Sequence, residues 1–198
     1  MTNGVRKGLT DTAAVLTVSD SGAQGVREDL SGPAVAEVLQ SAGFVVVDKM
    51  IVSDDRSAIE GALRHLATEA RLVVTTGGTG IAQRDVTPEA TRAVCDRVLE
   101  GVGELMRAEG RKTTPLAVLS RGICGTLGDS LVLNLPGSPK GAVSSLRAAL
   151  PVIPHALDLL AGRTQHAPPE QAGKEAGDSA DKGSHHESTR SARKVESA

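Results

Sequence analysis

Apolar residues fall along this chain in short, nearly continuous runs that alternate with stretches of helical spacing. Residues 13–18 (AAVLTV) form the first run and read as a buried strand, bounded by Ser19-Asp20-Ser21 and a loop containing Gly22 and Gly25. Ser31-Gly32-Pro33 then opens a helix with Ser31 as its cap, and Val35, Val38, Leu39 and Ala42 recur at helical spacing until Gly43. Residues 44–52 (FVVVDKMIV) give a second run. After Ser53-Asp54-Asp55, the stripe Ile59, Ala62, Leu63, Leu66, Ala70 predicts a second helix. Residues 72–76 (LVVTT) are a third strand running straight into Gly77-Gly78-Thr79-Gly80. Thr87-Pro88-Glu89 combines a cap, a proline at the first helical position and an acid in the first turn, so a helix is expected from there to about Leu99. Further helix is expected over 102–109. Residues 116–119 (LAVL) read as strand into Ser120-Arg121, and 130–135 (SLVLNL) as strand into Pro136-Gly137-Ser138-Pro139. Two apolar helical stretches, 142–150 and 153–160, follow.

Strands that are almost wholly apolar, alternating with helices, imply an α/β protein: three layers, with a mostly parallel sheet covered by helices on both faces. Ligands of such sheets bind beyond the carboxyl ends of the strands. The polar, glycine-rich segments here all follow strands, so they are expected to converge on one rim. Residues 1–12 are expected to be a flexible N-terminus, 13–162 the folded domain, and 163–198 a disordered polar tail. Val195 is the tail's only large aliphatic residue, too little to offset the entropy of ordering. The tail is read as solvated, with partner binding as the alternative, and the adjacent His185 and His186 are read as part of it, with metal binding as their alternative.

Composition narrows the function. Among 198 residues, 22 basic side chains face 24 acidic ones for a net charge of −2, and Phe44 is the sole aromatic residue. That leaves no broad basic field for a polyphosphate backbone and excludes a stacking surface for single-stranded nucleic acid, which needs aromatic rings in a basic groove, so no nucleic-acid partner is expected. No apolar run is long enough for a membrane span and the first dozen residues lack a secretory signal, so a cytoplasmic protein is expected. Cys95 and Cys124 lie in no ligand or disulfide spacing and read as reduced, buried side chains; a catalytic thiol would have only His65 or His155 as base.

Candidate chemistry centres on residues 75–80 (TTGGTG) and the following Arg84-Asp85. Glycines between a strand and a helix let backbone N–H groups approach an anion, and a phosphate is the natural guest; a tight turn serving chain geometry alone is the alternative. The spacing is neither a Walker loop nor a dinucleotide fingerprint. Asp54, Asp55 and Asp85 either complement helix N-termini or, converging at two strand ends, supply the oxygen-rich shell that Mg²⁺ takes when it accompanies a polyphosphate. Arg84 and Lys140 are candidate phosphate partners, and Glu104 reads as a solvated helix face.

These residues resemble a known family, the molybdopterin adenylyltransferases of molybdenum cofactor biosynthesis, the MogA/MoaB group, to which the G domain of gephyrin is also similar. The resemblance spans about residues 14–160. It is carried by Thr17-Val18-Ser19-Asp20, Ser31-Gly32-Pro33, the 75–80 loop, residues 84–91 (RDVTPEAT), Ser120-Arg121 and residues 133–140 (LNLPGSPK). It implies a molybdopterin-binding fold, a homotrimer, and transfer of AMP from Mg·ATP to the terminal phosphate of molybdopterin, with pyrophosphate released and the product handed to a molybdate-insertion enzyme. Asp54 and Asp85 would be the catalytic and Mg²⁺-binding carboxylates, with Asp55 the alternative to Asp54. Gly77, Gly78, Thr79 and Gly80 would cradle phosphate. Ser19, Asp20, Ser120, Pro136, Gly137, Ser138 and Pro139 would contact ATP or molybdopterin at the rim. A non-catalytic molybdopterin-binding paralogue with a protein partner is the competing reading.

Overall fold

The computed structural model describes residues 11–163; most of the expected flexible N-terminus and nearly all of the polar tail, with His185 and His186, lie outside the described residues. The strands are β1 (Thr12–Val18), β2 (Val45–Val52), β3 (Leu72–Thr76), β4 (Arg97–Val98), β5 (Cys124–Leu127) and β6 (Ser130–Leu135). They form one sheet in the order β2-β1-β3-β6-β5-β4. β2, β1, β3 and β6 run parallel, while β5 and β4 are antiparallel additions at one edge. The helices are α1 (Asp20–Ala23), α2 (Ser31–Ser41), α3 (Arg56–Glu69), α4 (Thr87–Val94), α5 (Glu100–Arg111), α6 (Pro139–Ala149) and α7 (Ile153–Leu160).

The two-residue period of the strands divides the core. Ala13 and Val15 of β1, with Leu72, Val74, Leu131 and Leu133, face a layer that includes Val35 and Leu39 of α2, Leu146 of α6 and Leu157 of α7. Ala14, Leu16 and Val73 point the other way, onto Ile59, Leu63 and Leu66 of α3 and Ala90 and Val94 of α4. The sheet is thus mixed but mostly parallel, with helices on both faces, as the run pattern predicts.

Several local expectations are corrected. Residues 116–119 are not a strand: Pro115–Leu119 is a 3₁₀ turn, begun by Thr114, whose hydroxyl accepts from the Leu116 N–H at 3.3 Å, and by a proline at its first position. Leu116, Val118 and Leu119 are exposed there. α4 ends at Val94, not Leu99, because the chain turns extended at Cys95 to pair with β5; Asp96 N–H donates to Thr126 O at 2.7 Å and Leu99 N–H to Cys124 O at 2.8 Å. β5 itself went unpredicted, being a four-residue strand (CGTL) with one large aliphatic residue, joined to β6 through Gly128 at φ +56° and Asp129. Neither Ser31 nor Thr87 is a cap. Both are first helical residues, preceded by Leu30 and Val86, and their hydroxyls bond elsewhere.

Candidate active site

The parallel register sets the ends of β1, β2, β3 and β6 on one rim, so the loops after Val18, Val52, Thr76 and Leu135 meet there. Two side chains tie that rim together from below. Asn134, wholly buried, donates from Nδ2 to Thr75 Oγ1 at 3.1 Å and to Thr91 Oγ1 at 2.9 Å, joining β6 to β3 and α4. Thr76 Oγ1 donates to Pro136 O at 3.0 Å, joining the glycine loop to the Pro136-Gly137 loop.

A polar cavity of about 220 Å³ opens on this rim, lined by Ser19, Asp29, Asp54, Gly77, Gly78, Arg84, Asp85, Gly137 and Pro139 among others. Beside it lies a larger groove of about 590 Å³, walled by Ile81, Met106, Leu116 and Leu119, with Arg107, Ser120, Ser138 and Lys140 among its polar members. The glycine loop divides the two, since Gly77 and Gly78 face the cavity while Thr79 and Gly80 face the groove; Gly137 borders both.

Close approach explains the glycines. Gly77 sits at φ +102°, and a Cβ there would fall 2.2 Å from Val18 O; one on Gly78, at φ +61°, would fall 2.3 Å from Thr87 Oγ1 and 3.4 Å from Asp54 Oδ1. A Cβ on Gly80 would meet Asp85 Oδ2 at 2.7 Å. The loop therefore runs against both carboxylates. Thr87 Oγ1 donates to Gly77 O at 2.9 Å, and that bond is wholly buried.

The neighbouring acids Asp54 and Asp55 separate cleanly. Asp55 caps α3, accepting from Ala58 N–H at 2.8 Å. Asp54 turns into the cavity, held by a reciprocal clamp in which Asp20 N–H donates to Asp54 Oδ2 and Asp54 N–H to Asp20 Oδ1, both at 2.9 Å. Asp20 lines neither cavity nor groove; its carboxylate holds Asp54. Asp85 Oδ2 accepts from Ala82 N–H at 2.8 Å. Each of the two carboxylates thus has one oxygen fixed by a backbone N–H and Oδ1 without a protein partner among the described residues. Two such oxygens suit a hard cation that keeps water and substrate phosphate in its remaining positions.

Asp29 was missed by sequence reasoning, because an acid beside Arg27 and Glu28 in a polar loop reads as surface. Its carboxylate accepts from Thr17 Oγ1 at 2.6 Å, Gly32 N–H at 2.9 Å, Ser31 N–H at 3.0 Å and Ser31 Oγ at 3.1 Å. Burial raises its pKa, but those donors, Gly32 N–H foremost, outweigh burial and hold the carboxyl below its usual value. It thereby does the capping expected of Ser31. Arg27 and Arg107 also line the two spaces without having been singled out. Ser19 and Ser138 cap α1 and α6, and Ser120 Oγ accepts from Gly122 N–H at 3.4 Å. Glu104 is exposed on α5 and lines neither space. Burial, with the Asp96 charge, pushes the Cys95 thiol up to about 11, and burial with Cys95 nearby pushes Cys124 up to about 12, both away from the thiolate form.

Residues 14–155 match the family described as a probable molybdopterin binding domain of molybdenum cofactor biosynthesis. The chain belongs to this family. A molybdopterin adenylyltransferase of Helicobacter pylori is 47% identical over 152 residues, covering 75% of this chain and 86% of that protein. One of Escherichia coli is 41% identical over 136 residues, covering 67% and 70%. Among solved structures, the molybdopterin biosynthesis enzyme MoaB of Thermus thermophilus superposes with a TM-score of 0.73 at 49% identity, covering 77% of this chain and 97% of that one. For this member of the family, no helix among the described residues is long and apolar enough to cross a membrane.

Proposed function

We propose that this chain is a molybdopterin adenylyltransferase, transferring AMP from Mg·ATP to the terminal phosphate of molybdopterin and releasing pyrophosphate. The observation that carries the reading is the placement of Asp54 and Asp85 on one cavity, each against the same glycine loop and each with an unengaged oxygen. The similarity to enzymes of that name supports it.

The acceptor is a phosphate monoester, anionic at neutral pH. No strong base is needed, and the demand on the protein is to align two polyanions and offset their charge. An acceptor oxygen attacks the α-phosphorus of ATP, the new P–O bond forms, and the bond to the β-bridging oxygen breaks with its electron pair leaving on pyrophosphate. Asp54 and Asp85 would hold Mg²⁺, which when bound supplies charge neutralisation to the phosphates. Gly77 and Gly78 line the cavity, where their backbone would meet phosphate. Arg27 and Arg84 line that cavity and face the negative charge that develops there. The groove, with aliphatic walls and the polar groups Ser120, Ser138 and Lys140, fits a planar heterocycle held without aromatic stacking.

The test is chromatography of adenylylated molybdopterin after incubation with molybdopterin, ATP and Mg²⁺. Product from the wild type, falling by orders of magnitude in Asp54→Asn or Asp85→Asn, supports the reading. Tight molybdopterin binding without product would make the chain a binding paralogue. The same reading carries a homotrimer, a cytoplasmic setting and handover of the product to the enzyme that inserts molybdate. The exposed Val45, Val47 and Ile51 of β2, which line neither the cavity nor the groove, offer apolar surface for self-association. Sedimentation at three times the 20.3 kDa chain mass is the expected result.

A further inference from the structure

Arg121 lines neither the cavity nor the groove, yet it makes more bonds to the loop from Gly77 to Asp85 than any residue that does. Its Nε donates to Gly80 O at 2.6 Å, its Nη2 to Asp85 O, and its Nη1 to the Glu89 carboxylate. Its own N–H donates to Thr79 O at 2.9 Å. The inner end of the loop has a different anchor, since Thr87 bonds Gly78 O through its N–H and Gly77 O through its hydroxyl. The outer end closes mainly on itself: Asp85 N–H donates to Ala82 O at 2.9 Å while Ala82 N–H donates to Asp85 Oδ2. That small turn could swing as a unit, carrying Asp85 with it, were it not gripped on both sides by one guanidinium.

We propose that Arg121 is the positioning residue for Asp85: its planar fork fixes the 80–85 turn to the body of the domain and so aims Asp85 Oδ1 into the cavity. A guanidinium suits this because two donors in one rigid plane can meet two carbonyls at once, whereas a lysine ammonium lacks that fixed fork. The proposal rests on the adenylyltransferase reading for its consequence, but the gripping of the loop stands on geometry.

The experiment compares Arg121→Ala, Arg121→Lys and Glu89→Gln with wild type in the full chain. Amide exchange is read without ligands, Mn²⁺ binding in the presence of ATP by electron paramagnetic resonance, and pyrophosphate release by steady-state kinetics. In Arg121→Ala, exchange at Ala82 and Asp85 should accelerate by about ten-fold or more while β1 and β3 stay protected. Mn²⁺ affinity and kcat should each fall by about 10- to 100-fold, with KM for molybdopterin within about two-fold. Added guanidinium ion should restore part of kcat in Arg121→Ala only, and Arg121→Lys should fall between. Glu89→Gln, which leaves both carbonyl contacts, should stay near wild type. Unchanged exchange at Ala82 and Asp85, or unchanged Mn²⁺ affinity, overturns the proposal; if Arg121→Ala does not fold, the same results in Arg121→Lys overturn it. A wild type that binds no Mn²⁺·ATP and releases no pyrophosphate defeats the functional reading, and with it the catalytic consequence, while accelerated exchange would still support the grip on the loop.

Discussion

At the scale of single residues, the division of labour among the acids is the main result. Asp55 and Asp29 accept from the first N–H groups of α3 and α2, Asp20 holds Asp54, and Asp54 and Asp85 each keep an oxygen without a protein partner among the described residues. Asp54→Asn and Asp85→Asn should therefore abolish pyrophosphate release while changing the urea midpoint little, since each Asn keeps an acceptor for its backbone N–H. Asp29→Ala is expected to lower the urea midpoint, costing about 0.5–2 kcal/mol by loss of the α2 cap. Because the folded Asp29 carboxyl lies below its unfolded value, its contribution is full above about pH 4 and is lost as pH falls through the folded value. The stability gap between wild type and Asp29→Ala, followed by chemical denaturation, should narrow on acidification below about pH 4.

At the scale of elements, the buried Asn134 joins β3, β6 and α4 beneath the site. Asn134→Leu would leave the Thr75 and Thr91 hydroxyls without that partner, and we expect a loss of about 2–4 kcal/mol in urea denaturation. The elements legible in the sequence were those whose apolar pattern is long enough to declare its period: β1, β3 and β6, and the stripes of α2 and α3. β5 and β4 escaped because short strands with glycine or arginine derive their structure from their neighbour rather than from their own composition. Leu116, Ala117, Val118 and Leu119 misled for the opposite reason: an apolar run implies burial only where something covers it, and here it remains at the surface. The glycine loop and Asp85 were readable because strand, glycines and helix start adjoin in sequence. Arg121's grip was not, since its partners lie 32 to 41 positions away.

At the scale of the whole molecule, ligand and fold are linked. Mg·ATP at about 100 times its Kd should add about 2.7 kcal/mol to stability, seen as a rise in Tm that chelation by EDTA reverses and that Asp54→Asn and Asp85→Asn lack. The sheet order has a temporal consequence as well. Thr75 and Asn134, hydrogen-bonded side by side, are 59 positions apart, and the segment between β3 and β6 adds no parallel strand to the sheet. A nascent chain must be extended through β6 before the open edge of β3 is covered, and non-local pairing of this kind is slow. Until then the glycine loop has no Pro136 carbonyl to meet and no Asn134 beneath it. Pairing of β6 with β3 and assembly of the rim are one event, so a chain stalled or truncated before β6 is left with an adhesive strand edge and an unfinished candidate site.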